Sequence, residues 1–230
     1  MKLASARIIW NPKKPEAKAL AVKVAKFLSE KKIPVIGRES APSILITIGG
    51  DGTILYNKFS SSAPIFAIGT QKSFICQSKG GDWRKQLGEI AKNGFKTEKR
   101  AMLACEINGK IAGEALNEIA VKSRSNRVMD VNIAWGGKQA GFRADGVLFS
   151  TPTGSSAYCY SCGGSQLPPL SKKYEIVGIA PHRRAFKPVA VSDSIPCEVW
   201  TSSKSADLIF DGQSALRLKP MLRVKIKKSK

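Results

Sequence analysis

Short apolar runs alternate with longer amphipathic ones through the first third of the chain. Ala6 to Trp10 is a candidate apolar strand ended by Asn11-Pro12. The segment after it carries Ala17, Leu20, Ala21, Val24, Phe27 and Leu28 at the three- and four-residue spacing of one helix face. Ile33 to Ile36 reads as a second strand and Ser43 to Ile48 as a nearly continuous apolar one. Ile65 to Ile68 follows as another strand after a helix expected from Thr53 to about Phe59. Short runs that are apolar throughout are characteristic of buried parallel strands. The order strand, helix, strand, glycine turn, helix, strand predicts an α/β layer of right-handed crossover units, Rossmann-like with a parallel sheet. A further helix is expected from Trp83 to about Lys92, closed by Asn93-Gly94.

After about Thr97 the period changes to two. Met102 to Ile107 and Lys110 to Leu116 flank Asn108-Gly109, the dipeptide suited to a tight hairpin because both central residues take positive φ. Val131, Ile133 and Trp135 alternate with Asp130, Asn132 and Ala134, and Gly136-Gly137 turns the chain into a strand leading to Val147 to Phe149. Apolar segments at Ile176 to Ile179, Val189 to Val191, Glu198 to Thr201, Leu208 to Phe210 and Leu222 to Ile226 complete an all-β half. The pattern predicts an α/β domain over residues 1–97 and a β-rich domain over 98–230, divided by a change of period rather than by a flexible linker.

No apolar run approaches the roughly 20 residues of a membrane-spanning helix. Met1 to Trp10 is too short and too weakly basic for a signal peptide, so the expected compartment is the cytoplasm. Five cysteines, an odd number, agree with a reducing compartment, and Cys159 and Cys162 read as buried or half-buried residues. The charge changes the picture more. With 38 Lys and Arg against 17 Asp and Glu, the formal net charge is +21, which points to anionic partners. The cations are nevertheless scattered, with one cluster at Lys225, Lys227, Lys228 and Lys230, and no zinc-finger or aromatic RNA-binding signature accompanies them. A solvated basic surface is favoured over a nucleic-acid function.

Two stretches carry candidate chemistry. Gly49-Gly50-Asp51-Gly52-Thr53 lies between an apolar strand and a helix, where glycines let the backbone approach a ligand and helix amides face phosphate oxygens. A carboxylate in such a turn caps the helix, binds Mg²⁺, or accepts a proton from an attacking hydroxyl. It is not a Walker loop, since no Gly-Lys-Ser/Thr follows. The second stretch, Arg143 to Tyr158, sets Ser150, Thr151, Thr153, Ser155 and Ser156 around Pro152 and Gly154, with Asp145 at one end and Tyr158 at the other. Such a loop can hydrogen-bond a polar ligand densely while Tyr158 offers a flat surface to a ring.

With those residues in view the chain resembles the NAD kinases over nearly its whole length. Gly49-Gly50-Asp51-Gly52-Thr53 is similar to that family's GGDGT, Leu116-Asn117-Glu118 to its NE motif, Asp145 through Gly164 to its long DG…TPTGS…AY stretch, and Phe210-Asp211-Gly212-Gln213 to its DGQ. GGDGT is shared with diacylglycerol and sphingosine kinases, whereas TPTGSxAY is not typical of them. The resemblance implies a two-domain kinase with its active site between the domains, NAD and ATP or polyphosphate as substrates, and Mg²⁺ or another divalent cation with no protein ligand assigned to it. It also implies a homo-oligomer, dimer or tetramer. Asp51 would be the general base. Donor phosphates would lie on Gly49, Gly50, Gly52 and Thr53. Asn117 and Glu118 would hold the ribose or adenine of NAD, Asp145 the nicotinamide end, and Thr153, Ser156, Ala157 and Tyr158 the sugar and ring. Gly52, Phe74, Arg127, Arg143, Ser161 and Gln213 would complete the pocket.

The chain departs from the pattern in several places. Ile68-Gly69-Thr70-Gln71-Lys72-Ser73-Phe74-Ile75 stands where the family has an Asn-x-Gly-x-Leu-Gly-Phe run, and Phe74 alone matches. Tyr56 stands where many members have a phosphate-binding Arg, so Lys58 or the Arg183-Arg184 pair is expected to serve the donor. The chain also stops soon after its last strand, short of a segment that many members send back to the first domain. A lipid kinase, and a non-catalytic protein that binds nucleotide or nucleic acid, are the alternatives; the polar Thr153 to Tyr158 loop argues against the first.

Overall fold

The computed structural model describes residues 1–70, 72–125 and 127–229; Gln71 of the divergent loop, Asn126 and Lys230 of the basic tail lie outside the described residues. The chain divides into two units, Met1–Lys99 and Arg100–Lys230.

The first unit runs β1 (Ala6–Trp10), α1 (Pro15–Glu30), β2 (Ile44–Ile48), α2 (Asp51–Asn57), β3 (Ile65–Gly69), β4 (Ser78–Lys79) and α3 (Trp83–Asn93). The strands form one parallel sheet in the order β1-β2-β3-β4. Pro15, whose missing N–H costs nothing in a first turn, opens α1, and the helix buries Ala17, Ala21, Val24, Phe27 and Leu28 as its spacing predicts. That stripe packs with Ile44, Ile46, Ile48, Phe66 and Ile68 of the sheet and with Trp83 and Leu87 of α3. Phe27 meets Trp83 edge to face at 5.7 Å between centroids. At its far end α3 stops at Gly94, which has φ 73° and donates its N–H to Ile90 O at 2.9 Å. Ile33 to Ile36 does not form the expected strand. It makes one bridge, Ala6 to Val35, since Pro34 has no N–H to give and Val35 stays exposed.

The second unit contains β5 (Leu103–Ile107), β6 (Lys110–Ala115), β7 (Glu118–Ser123), β8 (Met129–Trp135), β9 (Lys138–Ala144), β10 (Gly146–Ser150), α4 (Tyr158–Ser161), β11 (Lys173–Ile179), β12 (Val189–Ser192), β13 (Cys197–Trp200), β14 (Ala206–Phe210), β15 (Ser214–Leu218) and β16 (Val224–Lys228). Two antiparallel sheets result, ordered β12-β11-β10-β7-β14-β15 and β6-β5-β16-β13-β8-β9. Their inner faces share one core that includes Val121, Val131, Ile133, Val147, Phe149, Ile176, Val199, Leu208 and Ile226. Alternation buries one face of strands such as β8, while β10 and most of β11 are buried on both faces. The segment after Gly136-Gly137 is two strands rather than one. It changes sheets at Asp145, which donates its N–H to Ile179 O at 3.0 Å and accepts from Ser123 N at 2.8 Å. The short helix α4 lies on the outer face of the first sheet, where Cys159 packs with Ala120, Leu148, Val177 and Ile179. The fold is thus a parallel α/β layer followed by an antiparallel β domain.

Candidate active site

In the first unit the C-terminal ends of the parallel strands hold the glycine turn. Asn11 N donates to Ile48 O at 2.9 Å and Gly49 N to Ile68 O at 3.0 Å, tying the ends of β1, β2 and β3 together. Gly49 and Gly50 have φ of 144° and 111°. A Cβ on Gly49 would stand 2.6 Å from Thr53 Oγ1 and 2.7 Å from Asn11 Cβ, so the turn admits no side chain there. Gly52 is helical and under no such constraint. Thr53 Oγ1 is buried without a hydrogen-bond partner.

Asp51 does not cap α2. Gly50 occupies the capping position, Asp51 is the first helical residue, and no side chain caps this end. Its carboxylate turns instead to the divergent loop, where Oδ2 accepts from Phe74 N at 2.7 Å and Oδ1 accepts from Ile75 N at 3.1 Å and from Cys76 Sγ at 3.4 Å. Burial pushes the Cys76 thiol up to about 12, which keeps it protonated as a donor at neutral pH. The loop that departs from the family pattern therefore serves Asp51 through its backbone, which side-chain identity does not reveal. The Phe74 ring itself is exposed. Lys58 follows the last residue of α2, and its ammonium donates to Leu55 O at 3.2 Å and sits 5.0 Å from the Phe59 ring centre.

In the second unit, Asn117 lies between β6 and β7 and Glu118 opens β7. The carboxylate of Asp211 accepts hydrogen bonds from Leu116 N at 2.9 Å, Asn117 N at 2.7 Å and Glu118 N at 3.1 Å, while Asp211 N donates to Glu118 O at 2.9 Å. Asp211 has φ 50°, a left-handed conformation that Asp and Asn tolerate better than most residues, and it is buried. The Ser/Thr-rich loop supports the same segment. Thr151 N donates to Asn117 O at 2.9 Å and Thr151 Oγ1 to Leu116 O at 2.5 Å. Gly154 lies so close that a Cβ on it would stand 2.2 Å from Asn117 O.

Three of the loop's five hydroxyls are committed to the loop or its neighbours. Ser150 Oγ donates to Thr151 O, Thr151 Oγ1 to Leu116 O and Ser155 Oγ to Pro152 O. The expected dense hydroxyl surface is consequently narrower than the sequence suggests. What remains is a wall with three buried polar atoms that have no hydrogen-bond partner, namely Asn117 Oδ1, Glu118 Oε2 and Thr153 Oγ1. Burial, and after it the charge of Asp211, pushes the Glu118 carboxyl up from 4.5 to about 7.

Tyr158 opens α4 and is about one third exposed, at 37%. Its phenol is pushed up by burial and by nearby Cys162, Asp145 and Glu118, which brings the two predicted carboxylates and the ring into one neighbourhood. Cys162 is raised by burial and lies within the influence of Lys122 and Glu118. Ser156 and Ala157 are half-buried at the head of α4, and Ser161 is exposed at its end. Gln213 is exposed in the β14–β15 turn beside Asp211, its N–H on Phe210 O. Arg143 pairs across the β8–β9 ladder with Asp130 at 3.8 Å, and Arg127 is an exposed loop residue. Arg183 and Arg184 are exposed on the loop after β11 with φ of 53° and 55°. Sequence reasoning missed Asp211 and Thr151 as supports. The signals for Asp211 were its Asp-Gly turn and its place in the DGQ stretch, which name the residue without showing that it supports Asn117 and Glu118.

Among the described residues no three His, Cys, Asp or Glu side chains gather into a metal-binding group. An ion carried on the phosphates of a nucleotide, with most of its ligands from phosphate and water, needs no such group.

Residues 116–230 match the family model described as the ATP-NAD kinase C-terminal domain. The chain is 34% identical over 201 residues to an NAD kinase of Methanosarcina barkeri, covering 84% of this chain and 72% of that protein. It is 32% identical over 228 residues to an NAD kinase of Clostridium perfringens, covering 91% and 83%. Among solved structures, an NAD kinase from Archaeoglobus fulgidus in complex with ATP is similar with a TM-score of 0.83 and 25% identity, over 98% of this chain and 90% of that one. A yeast NADH kinase complexed with NADH shares the fold, with a TM-score of 0.89 at 21% identity over 100% and 79% of the two chains.

Proposed function

The chain belongs to the NAD kinase family, and on that premise we propose that it transfers the terminal phosphate of ATP to the adenosine-ribose 2'-hydroxyl of NAD, giving NADP. The observation that carries the acceptor side is the wall of Asn117 Oδ1, Glu118 Oε2 and Thr153 Oγ1. A buried polar atom left without a partner costs about 1–3 kcal/mol, and a ligand bearing hydroxyl or amino hydrogens relieves that cost. The ribose and adenine of NAD offer such donors, whereas the acyl chains of a lipid acceptor offer none. Asn117 and Glu118 take the ribose or adenine, Thr153, Ser156 and Ala157 the sugar, and Tyr158 the ring face. Asp145 takes the nicotinamide end, with Arg127, Arg143, Ser161 and Gln213 around them.

Asp51 is the general base. Two amides and a thiol orient its carboxylate, and a carboxylate has about four lone-pair sites, which leaves one for a hydroxyl proton. Donor phosphates approach Gly49, Gly50 and Thr53. Mg²⁺ arrives with ATP as part of the substrate, and catalysis is mostly placement of the two reactants in line. The free cysteines support a reducing compartment, the cytoplasm, and among the described residues no helix is long and apolar enough to cross a membrane. The working form is a homo-oligomer, as the resemblance implies.

A coupled assay tests this reading. Purified protein with NAD and MgATP should accumulate NADP, detected with an NADP-specific dehydrogenase, and parallel reactions with NADH and with linear polyphosphate define the acceptor and donor range. A protein that makes no NADP and fails to bind NAD, yet binds duplex DNA tightly at physiological salt, would sink it.

A further inference from the structure

We propose that Lys14 is the cation that holds the phosphoanhydride chain of the donor at the Gly49-Gly50 turn. The proposal rests on the reading of that turn as the donor site and adds a residue to it. Lys14 ends the β1–α1 connection, and its backbone N–H closes the turn onto Asn11 O at 3.1 Å. Asn11 is also the residue whose Cβ would meet a side chain at position 49. The β1–α1 and β2–α2 connections therefore leave the same edge of the parallel sheet in contact, the edge at which α/β sheets bind ligands. From there the half-buried Lys14 side chain crosses to the glycine turn, where Nζ donates to Gly49 O at 2.9 Å.

An ammonium carries three N–H bonds, and Gly49 O takes one. The remaining positive charge stands at a turn from which side chains are sterically excluded. A second group at the same turn points to a ligand independently. Thr53 Oγ1, on a residue only 6% exposed, has no hydrogen-bond partner and lies 2.6 Å from the place where a Gly49 Cβ would be. A cation and an uncommitted hydroxyl flanking a bare backbone turn suit the oxygens of a phosphate chain. Lys58, by contrast, follows the far end of α2, where its ammonium donates to Leu55 O. Tyr56, at the position where an arginine was expected, is exposed and uncharged.

The test uses the whole chain and titrates ATP, linear polyphosphate and adenosine into wild type, Lys14→Gln and Lys14→Met, with thermal melts and initial rates alongside. Loss of one charged contact should weaken ATP and polyphosphate binding roughly ten- to a hundredfold and leave adenosine binding within twofold. The donor KM should rise in step while the NAD KM and the melting temperature stay near wild type. If ATP weakens and polyphosphate never binds, the donor is a nucleotide and Lys14 keeps its role. Unchanged ATP affinity overturns the assignment. So does loss of the fold in both neutral variants, which would make Lys14 a strut for the turn. A wild type that binds ATP through Lys14 but makes no NADP overturns the kinase reading and leaves Lys14 in place.

Discussion

Replacing Glu118 with Gln separates what this carboxyl costs the fold from what it does for a ligand. The Glu118 carboxyl is raised from 4.5 to about 7 by burial and by Asp211. A raised acid pKa means that the folded protein keeps a proton which the unfolded chain has already released. Below about pH 4.5 both states are protonated and Glu118 costs nothing. As pH rises from about 4.5 to about 7 stability is lost, and above about 7 the full cost is present, worth about 3 kcal/mol at roughly 1.4 kcal/mol per pH unit. Glu118→Gln keeps the shape and removes the ionisation. In denaturant melts the variant should therefore be more stable than wild type by about 2–3 kcal/mol near pH 8.5, and the two should converge near pH 4.5. Every other titrating group is common to both proteins, so the difference isolates position 118. Binding should move the other way. A neutral amide offers one weaker acceptor oxygen where the carboxylate offers two charged ones, so the variant should bind NAD roughly ten- to a hundredfold more weakly near pH 8. Wild-type NAD affinity should itself fall as pH drops below about 7. A stability difference that does not change with pH would refute this account.

Three further outcomes are expected. Asp211→Ala removes the acceptor for three amides and should cost about 3 kcal/mol or more, with Asp211→Asn near half of that because Asn tolerates the backbone conformation and keeps one oxygen; chemical denaturation decides, and a loss below about 1 kcal/mol for the Ala variant removes Asp211 as the support of this segment. Asp51→Asn keeps one oxygen for the Phe74 and Ile75 amides and should cost about 1–2 kcal/mol of stability while lowering turnover roughly 10²- to 10⁴-fold with NAD still bound; an active variant excludes Asp51 as the base. Tyr158→Ala should weaken NAD binding by roughly tenfold and Tyr158→Phe by much less, since the ring is the proposed contact; equal losses in a binding titration would assign the contact to the hydroxyl.

The elements that periodicity made legible are those with one buried face. The α1 stripe, the β5–β6 hairpin at Asn108-Gly109 and β8, with Val131 and Ile133 inward, all form as the spacing predicts. Among the strands that escaped, β7 and β15 did so for opposite reasons. The central strand β7 is buried along Glu118–Val121 and has no two-residue alternation to detect, while β15 is an edge strand whose Ser214, Ala215, Leu216 and Arg217 are all exposed. Ile33 to Ile36 looked like a strand because composition registers apolar residues and not the missing N–H of Pro34. In the site, motifs named the segments, while the hydrogen bonds that their side chains make were not legible. Asp51, which the sequence offers as a cap, a metal contact or a base, accepts from the Phe74 and Ile75 amides and from the Cys76 thiol, and Lys58 donates to Leu55 O of its own helix.

Such bonds escape the sequence for one reason, since a motif says which residues meet and hydrogen bonding decides which of them remain available. Around Asn117 the backbone is satisfied by residues that are themselves used up in doing so. Asp211 accepts the amides of Leu116, Asn117 and Glu118, and Thr151 provides for the carbonyls of Leu116 and Asn117. Because the main chain is provided for by these two, the Asn117 and Glu118 side chains have no structural bond to make and stay buried with oxygens unpaired. Burial first and then the charge of Asp211 raise the Glu118 carboxyl, so the residue that orients the segment also adds to the cost of keeping its carboxylate without a ligand. A hydroxyl donor arriving at Glu118 relieves that cost, and the fold's local instability becomes part of the binding free energy.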